Sequence, residues 1–462
     1  MTSICSMHVH YSDIKLTAPD FTSNIVTLEE LRTACEYNKV WVSVDRVVYD
    51  LTEFMDKHPG GWEFIYMAAG KDISQVFKSY HGQAQHQVLL KYQIGILSGQ
   101  DVPSFPPEDE FSLTLKERVN NYFRSTKIDQ RSSPFAYVRY FLNTIALLVF
   151  YALQWTTFLH GAWMFYIMAI AYGAALAQYS LSAMHDGSHG AVSYSPAFWR
   201  LLAMGHDFLN GCSSTLWAYQ HVMSHHIFTN VEGFDSDIDT SDMEFYRIKE
   251  SQKYSAIYRF QSMYSPVLYF FLGISIRIGD MCNYYRGRRG PLKVNPFTAS
   301  QNLIFWGGKL FFLVTRIAFP LYLGATLLRV TTAFLLTDFT FSIIVTMIFQ
   351  ATHLVDSVAF PQVNPETGNI DVDWARLQVE TAQDFSHDKP FMTFFSGSLN
   401  YQVAHHLFPS IAQEHLPAVA KIVRQTATEF SVKYEIKEGL WAAIGGHIGL
   451  LKMLGTPPTS SH

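Results

Sequence analysis

The sequence predicts a multi-domain protein in which a small α+β domain is followed by an all-α membrane domain with four transmembrane helices and a cytosolic helical cap. Three observations support this prediction. Short alternating apolar segments occupy residues 26–105, long and almost unbroken apolar segments begin near residue 137, and hydrophobic residues make up 48% of the chain. An apolar segment of about 20 residues is long enough to cross a bilayer as a helix.

Composition argues against several function classes. The net charge is −5 and the isoelectric point is about 6.4, so the chain lacks the basic character typical of nucleic-acid-binding proteins. The four cysteines have no Cys-x-x-Cys spacing, which indicates neither a disulfide framework nor a zinc knuckle. Residues 1–25 are predicted to be a disordered tail. They lack an apolar signal segment, so the N-terminal domain is expected to stay in the cytosol.

The α+β domain is predicted to span residues 26–105 and to begin with a helix and a hairpin. Thr27 is a suitable N-cap for a helix that ends near Cys35, and Glu30 completes a capping box. Two apolar segments on either side of Asp45-Arg46 alternate in polarity, which predicts a β-hairpin.

A His-Pro-Gly-Gly motif at residues 58–61 marks a candidate haem site in this domain. The proline fixes the backbone after His58, and the two glycines permit close approach of a flat ligand. His81 follows a predicted helix over Asp72–Lys78. Two histidines on opposing segments can bind one haem b from both faces, and such an iron serves electron transfer because neither face is left for oxygen. With Gly70-Lys71-Asp72, these residues make the region resemble a cytochrome b5 domain.

Residues 106–136 are predicted to form a linker and a helix that precedes the membrane domain, which occupies residues 137–462. The four predicted spans cover residues 140–159, 162–184, 303–323 and 331–350. The first two are joined by a tight turn at His160-Gly161, and each pair of spans returns the chain to its starting side. The apolar segment Leu268–Ile278 is too short to span and is expected to be interfacial or re-entrant. The basic cluster at residues 286–289 indicates a cytosolic loop.

Three histidine clusters lie beside these apolar segments. On a helix, residues three or four positions apart share a face, so each cluster can direct its side chains to one point. The even number of spans is expected to bring all three clusters to the cytosolic face, where they can form one metal site. The candidate residues are His185, His189, His221, His225, His226, Gln402, His405 and His406.

The identity of the metal depends on the domain next to it. Imidazole binds iron, zinc and copper, so the ligand type alone does not choose among them. A fused electron carrier has no use in a hydrolytic zinc enzyme, whereas an oxygen-activating iron centre requires one. The Glu-x-x-His pattern of soluble di-iron bundles is absent from the three clusters. A histidine-rich, non-haem iron centre in a membrane protein is therefore expected.

The motifs HxxxH at 185–189, HxxxHH at 221–226 and QxxHH at 402–406 resemble those of membrane fatty-acid desaturases. The fused haem domain, and Gln402 where many relatives have histidine, resemble the front-end subgroup. The resemblance implies a di-iron centre bound by eight histidines, with His353 as the eighth beside the seven in the boxes. It implies that Gln402, a weak ligand, holds a water or orients a neighbouring side chain. The implied reaction uses O2 and two electrons to place a cis double bond in an acyl chain.

The resemblance also implies partners and a location. The expected partners are the lipid bilayer, a fatty acyl-CoA or phospholipid-bound acyl substrate, and NADH-cytochrome b5 reductase as electron donor. The expected location is the endoplasmic reticulum membrane, with the haem domain and the histidines on the cytosolic side.

Several alternatives share part of this pattern. A Δ8 sphingolipid long-chain-base desaturase has the same haem fusion and QxxHH motif, and a fatty-acid hydroxylase has a different histidine spacing. A non-catalytic haem-binding membrane protein would have no need of the complete histidine set. Δ4, Δ5, Δ6 and Δ8 enzymes share these motifs, and the overall resemblance favours Δ5 or Δ6 on polyunsaturated C18–C20 chains.

Overall fold

The structure is a computed structural model that describes residues 24–156, 162–239 and 245–457. The predicted tail at residues 1–25 falls almost wholly outside these ranges, as does the predicted turn at His160-Gly161.

The N-terminal domain is a five-stranded sheet with short helices around it. The strands are β1 (Ile25–Thr27), β2 (Trp41–Val44), β3 (Val47–Asp50), β4 (Lys71–Asp72) and β5 (Gln93–Ser98), in the order β1-β5-β3-β2-β4. The helices are α1 (Leu28–Thr33), α2 (Trp62–Ala68), α3 (Ser74–Tyr80) and α4 (Gln83–Leu89).

Two local predictions for this domain are confirmed. Thr27 caps α1, and Glu30 completes the capping box by accepting from the Thr27 backbone N–H at 2.8 Å. Strands β2 and β3 form the predicted antiparallel hairpin. Its turn residues Asp45 and Arg46 both have positive φ (48° and 65°), the conformation that a tight hairpin turn between twisted strands requires.

The C-terminal part is almost entirely helical. Its helices up to the last predicted span are α5 (Glu110–Thr126), α6 (Pro134–Thr156), α7 (Ala162–Tyr179), α8 (His185–His189), α9 (Pro196–Asn210), α10 (Ser214–Gln220), α11 (Gln261–Leu268), α12 (Leu272–Arg286), α13 (Ala299–Leu313), α14 (Phe319–Tyr322) and α15 (Leu327–His353). The remaining helices are α16 (Trp374–Glu380), α17 (Pro390–Phe395), α18 (Gln402–Leu407), α19 (Leu416–Glu429) and α20 (Leu440–Gly455). Two short strand pairs accompany them, β6 (Arg288–Arg289) with β7 (Leu292–Lys293), and β8 (Gln383–Phe385) with β9 (Glu435–Lys437).

Helices α6 and α7 pack against each other in opposite directions. Near the start of α6, Arg139 reaches Asp186 in the first histidine cluster at 3.3 Å. Near its end, the ring of Trp155 contacts Phe165, close to the start of α7. The chain therefore leaves the histidine clusters along α6 and returns to them along α7.

Helices α13 and α14 leave the histidine clusters, and α15 returns to them. Helix α13 begins close to the N-terminal domain. Thr298 caps the helix, and two residues earlier the carbonyl oxygen of Pro296 accepts a hydrogen bond from Tyr66 of that domain. His353 is the last residue of α15. Two antiparallel hairpins thus have their open ends beside the histidines.

Within the described residues, five helices are long and apolar enough to cross a membrane, one more than the four predicted. The additional one is the helical segment Ala256–Arg286, which includes the segment Leu268–Ile278 that the sequence suggested was too short. The helical segment is longer than the apolar pattern indicated, because charged residues interrupt that pattern. One of them, Arg277, forms an ion pair with Asp338 of α15, with a nitrogen–oxygen contact of 3.1 Å.

The C-terminal region covers the histidines from the other side. Helix α19 packs on α5 through an apolar cluster that includes Phe111, Val119 and Val423. This agrees with the expected helical cap. Helix α20 differs from that expectation, since it is apolar and packs against α15 and the Ala256–Arg286 segment.

Candidate metal centre

The two candidate haem ligands of the N-terminal domain, His58 and His81, face each other. His58 lies in the turn before α2 and His81 directly follows α3, with their ring centroids 6.0 Å apart. The Nδ1 atoms are held by the carbonyl oxygens of Gly61 (2.9 Å) and Phe77 (3.3 Å). These contacts leave the Nε2 atoms for a ligand. A Cβ on Gly60 would lie 2.6 Å from the His58 ring, which explains the need for glycine there.

Burial keeps this histidine pair neutral. It lowers the pKa of His58, and it lowers the pKa of His81 to about 4, with the neighbouring His58 adding to the effect. A neutral imidazole has the free lone pair that an iron ligand needs. The pair therefore fits a haem bound through both axial positions.

The three histidine clusters of the membrane domain are placed by helix ends. A π-helical turn at Ser180–Met184 joins α7 to α8, which carries His185 and His189. A second π-helical turn, His221–His225, follows α10 and carries most of the second cluster. Helix α18 begins at Gln402 and carries the third. Such π turns are uncommon and often occur at functional sites, because the extra residue redirects the side chains that follow.

The histidines converge into two adjacent groups. The first group is His185, His189, His221, His226 and His405, and the second is His225, His353 and His406. Within each group, one ring nitrogen from every member lies within 4.8 Å of the others. The groups touch where the rings of His226 and His406 stack, with centroids 4.2 Å apart.

These groups fit metal ions. All eight side chains are at most 5% exposed. Nε2 of His221 lies 3.0 Å from that of His185 and 3.2 Å from that of His226, so the lone pairs crowd one point. Nε2 of His189 and of His406 are buried with no hydrogen-bond partner among the described residues. A buried ring nitrogen without a hydrogen-bond partner requires some other binding partner, and a metal ion can fill that role. Imidazole nitrogens are suitable ligands for iron.

Several Nδ1 atoms of these histidines are held by other side chains or by the backbone. His225 contacts Asp235 at 3.1 Å, His406 contacts Gln378 at 2.8 Å, and His353 contacts the Thr381 carbonyl at 3.3 Å. His185 contacts Gln413 at 3.3 Å and His189 contacts the Tyr80 hydroxyl at 2.8 Å. Such partners orient a ligand ring and tune its basicity. Sequence reasoning missed them because they lie outside the motifs and come close only through the fold.

Two carboxylates lie beside His225 and act on its protonation. Burial disfavours the charged imidazole, but Asp237 and Asp235 outweigh it and raise the pKa of His225 to about 9. An imidazole polarised in this way is a more basic metal ligand.

Gln402 lies at the edge of the second group. Its Nε2 is 2.9 Å from Nε2 of His353, and its Oε1 is buried without a hydrogen-bond partner in the described part of the chain. The amide therefore lies beside the candidate metal position, close to the histidine at the end of α15.

Three further histidines close to the clusters lie outside both groups. His387 contacts Asp384 at 2.9 Å, and His206 is buried beside the ring of Trp217. His415 contacts the carbonyl oxygen of Asp129 at 3.0 Å.

Comparisons with known proteins agree with these two sites. Residues 27–98 match the family described as cytochrome b5-like heme/steroid binding domain, and residues 161–437 match the fatty acid desaturase family. An acyl-lipid (8-3)-desaturase from Mortierella alpina is 37% identical over 94% of this chain and 97% of its own. A Delta(5) fatty acid desaturase A from Dictyostelium discoideum is 35% identical over 91% and 92%, respectively.

A further relative, an sn-1 linoleoyl-lipid 6-desaturase from a Synechocystis strain, is 32% identical over 76% of this chain and 97% of its own. A haem-binding domain thus precedes a helical domain in which a histidine cluster fits a di-iron centre. The chain belongs to the fatty acid desaturase family, as a front-end desaturase with a fused cytochrome b5 domain.

Proposed function

We propose that this enzyme places a cis double bond between an existing double bond and the carboxyl end of a polyunsaturated C18–C20 acyl chain, at Δ5 or Δ6. The observation that carries the proposal is the convergence of eight buried histidines beside a docked haem domain. A relative named Delta(5) fatty acid desaturase A favours Δ5. The word acyl-lipid in the (8-3) name favours a lipid-bound chain over acyl-CoA.

Each histidine group holds one iron ion in this proposal. His185, His189, His221, His226 and His405 bind the first ion, and His225, His353 and His406 bind the second. Gln402, with a neutral amide that both donates and accepts, holds a water or orients His353.

The chain's own residues supply orientation and exclude water. When bound, the two ions supply O2 activation for removing hydrogen from two adjacent methylenes. Asp235, Gln378 and Thr381 keep the Nδ1 atoms engaged, so the Nε2 atoms face the metal positions. The almost complete burial of the ligands keeps bulk water from the reacting carbons. The apolar helices hold the acyl chain so that one carbon pair faces the centre.

The proposed topology has four spans and places the enzyme in the endoplasmic reticulum membrane with its histidines and haem domain on the cytosolic side. The two hairpins support an even number of crossings between the clusters. The Ala256–Arg286 segment lies at the interface in this proposal, because both of its ends contact residues on the histidine side. At the start of the segment, the Tyr258 carbonyl lies against Gly455 of α20. Just beyond its end, Arg289 donates from Nε to the side-chain oxygen of Gln220 at 2.9 Å, and Gln220 directly precedes His221.

Electrons enter through the haem, with NADH-cytochrome b5 reductase as the proposed donor. The histidine pair His58 and His81 supports bis-imidazole ligation, which suits electron transfer rather than oxygen binding.

Expression in a yeast that lacks these activities tests the proposed specificity. Cultures receive one acid each: a C20 acid with its first double bond at Δ8, a C18 acid with its first at Δ9, or none. Mass spectrometry then locates new double bonds in phospholipid and acyl-CoA fractions, with His405→Ala as the inactive control. A new Δ5 bond appearing first in phospholipid is expected. A product found only in the yeast's long-chain bases would overturn the acyl assignment.

A further inference from the structure

Tyr80 connects the two metal-binding regions of the protein. It is the last residue of α3, and its chain neighbour is His81, one of the two candidate haem ligands. Its hydroxyl oxygen lies 2.8 Å from Nδ1 of His189 in the first histidine group. The two sites are therefore connected by the covalent bonds between His81 and Tyr80 and by the hydrogen bond between Tyr80 and His189.

The direction of this hydrogen bond follows from the other ring nitrogen. Nε2 of His189 lies within the first group and has no hydrogen-bond partner among the residues described. If Nε2 gives its lone pair to a metal, the neutral ring carries its proton on Nδ1 and donates it to the Tyr80 oxygen.

We propose that Tyr80 is a positioning residue that orients His189 and provides a path for electrons from the haem domain to the first iron position. This inference rests on the iron assignment proposed above. In each transfer one ferrous haem is oxidised and one ferric ion is reduced. The haem is then reduced again by the external donor, so two cycles deliver the two electrons that one double bond requires.

The docking of the haem domain does not depend on this contact alone. Tyr66 donates to the Pro296 carbonyl at 2.7 Å, Lys71 donates to the Asn295 side chain at 3.2 Å, and Glu63 forms an ion pair with Arg200. Removing the Tyr80 hydroxyl therefore leaves the two domains in contact. Tyr66 offers a matched control, since it is also a haem-domain tyrosine bonded to the membrane domain but lies on α2 and bonds a backbone carbonyl.

The test compares the full-length wild type with Tyr80→Phe and Tyr66→Phe, each purified with haem and iron. Haem and iron contents are measured first, and Mössbauer spectroscopy reports the ferric ions. Stopped-flow absorbance then follows haem reoxidation after the reduced protein meets O2 and substrate lipid. In Tyr80→Phe we expect a normal haem spectrum, an altered ferric spectrum and reoxidation slower by about ten-fold or more, the usual scale for losing such a partner. In Tyr66→Phe all three should match the wild type.

Either of two results overturns the proposal. One is a Tyr80→Phe protein with wild-type iron spectrum and reoxidation rate. The other is equal slowing in Tyr66→Phe, which would assign the effect to docking. Loss of iron from Tyr80→Phe alone supports the positioning role. A wild-type protein without iron beyond its haem would instead refute the iron assignment, so the two failures are distinguishable.

Discussion

His81 shows how the folded environment prepares a single side chain for its role. Phe77 stacks on the His81 ring with centroids 4.7 Å apart, and burial is the main reason its pKa falls to about 4. A solvent-exposed histidine titrates near 6.5. In the haem-free protein, His81 is therefore already neutral throughout the range in which an exposed histidine would be gaining a proton.

This pKa predicts the acid limit of haem binding. Protons compete with iron for His81 only below the pKa of the free ligand, so the contribution of His81 to haem affinity should stay constant from neutral pH to about 5 and be lost as the pH drops through about 4. Phe77→Ala, which exposes His81, should move the fall toward pH 6.5. Haem titration of the full-length protein by absorbance at a series of pH values measures both. A decline of wild-type affinity already near pH 6.5 would contradict the prediction.

Gln402 is the second residue with a testable individual role. Histidine in its place would add an imidazole beside His353, whose Nε2 now lies 2.9 Å from the glutamine amide. We expect Gln402→His to keep most of its iron and to lose activity by roughly 10–100-fold, the scale for changes around metal ligands. His405→Ala and His406→Ala should lose both iron and activity. Iron content and product formation separate the cases, and a wild-type rate with unchanged product in Gln402→His would remove the assigned role.

At the level of elements, the sequence predicted those that depend on local patterns. The capping box at Thr27, the hairpin at Asp45-Arg46 and the helical spacing within each histidine cluster are encoded by neighbouring residues. The contact of Tyr80 with His189 joins residues from different domains, and no local pattern encodes it. Nor does local hydropathy reveal that Arg277 is neutralised by Asp338, so the length of the segment containing Arg277 was underestimated.

The Ala256–Arg286 segment carries the prediction at this scale. If it lies at the interface, cysteines at Glu250 and at Arg288 should react with a membrane-impermeant maleimide in sealed microsomes, in a variant with the native cysteines replaced. Tyr322, exposed at the far end of the second hairpin, is the control. Tyr322→Cys should react only after detergent is added. Protection of either Glu250→Cys or Arg288→Cys, but not both, would show that the segment crosses the membrane.

The whole molecule is built so that the haem domain and the histidine groups are held together. One apolar cluster contains Val42 and Tyr49 of the N-terminal domain together with Tyr219, Met223 and Phe305 of the membrane domain. A shared core of this kind resists separation, because parting the domains would expose its apolar surface to water. Electron transfer should therefore occur within one chain.

This organisation predicts that two defective chains cannot rescue each other. His58→Ala removes a haem ligand and leaves the histidine groups, whereas His405→Ala does the reverse. When the two variants are reconstituted together in liposomes with an external reductase and NADH, they should form no more product than the sum of what each variant forms alone. Wild type diluted with the His58→Ala/His405→Ala double variant controls for crowding and should retain activity in proportion to its amount. Product formation well above the sum would mean that one chain's haem reduces another chain's iron, and that the docked arrangement opens during turnover.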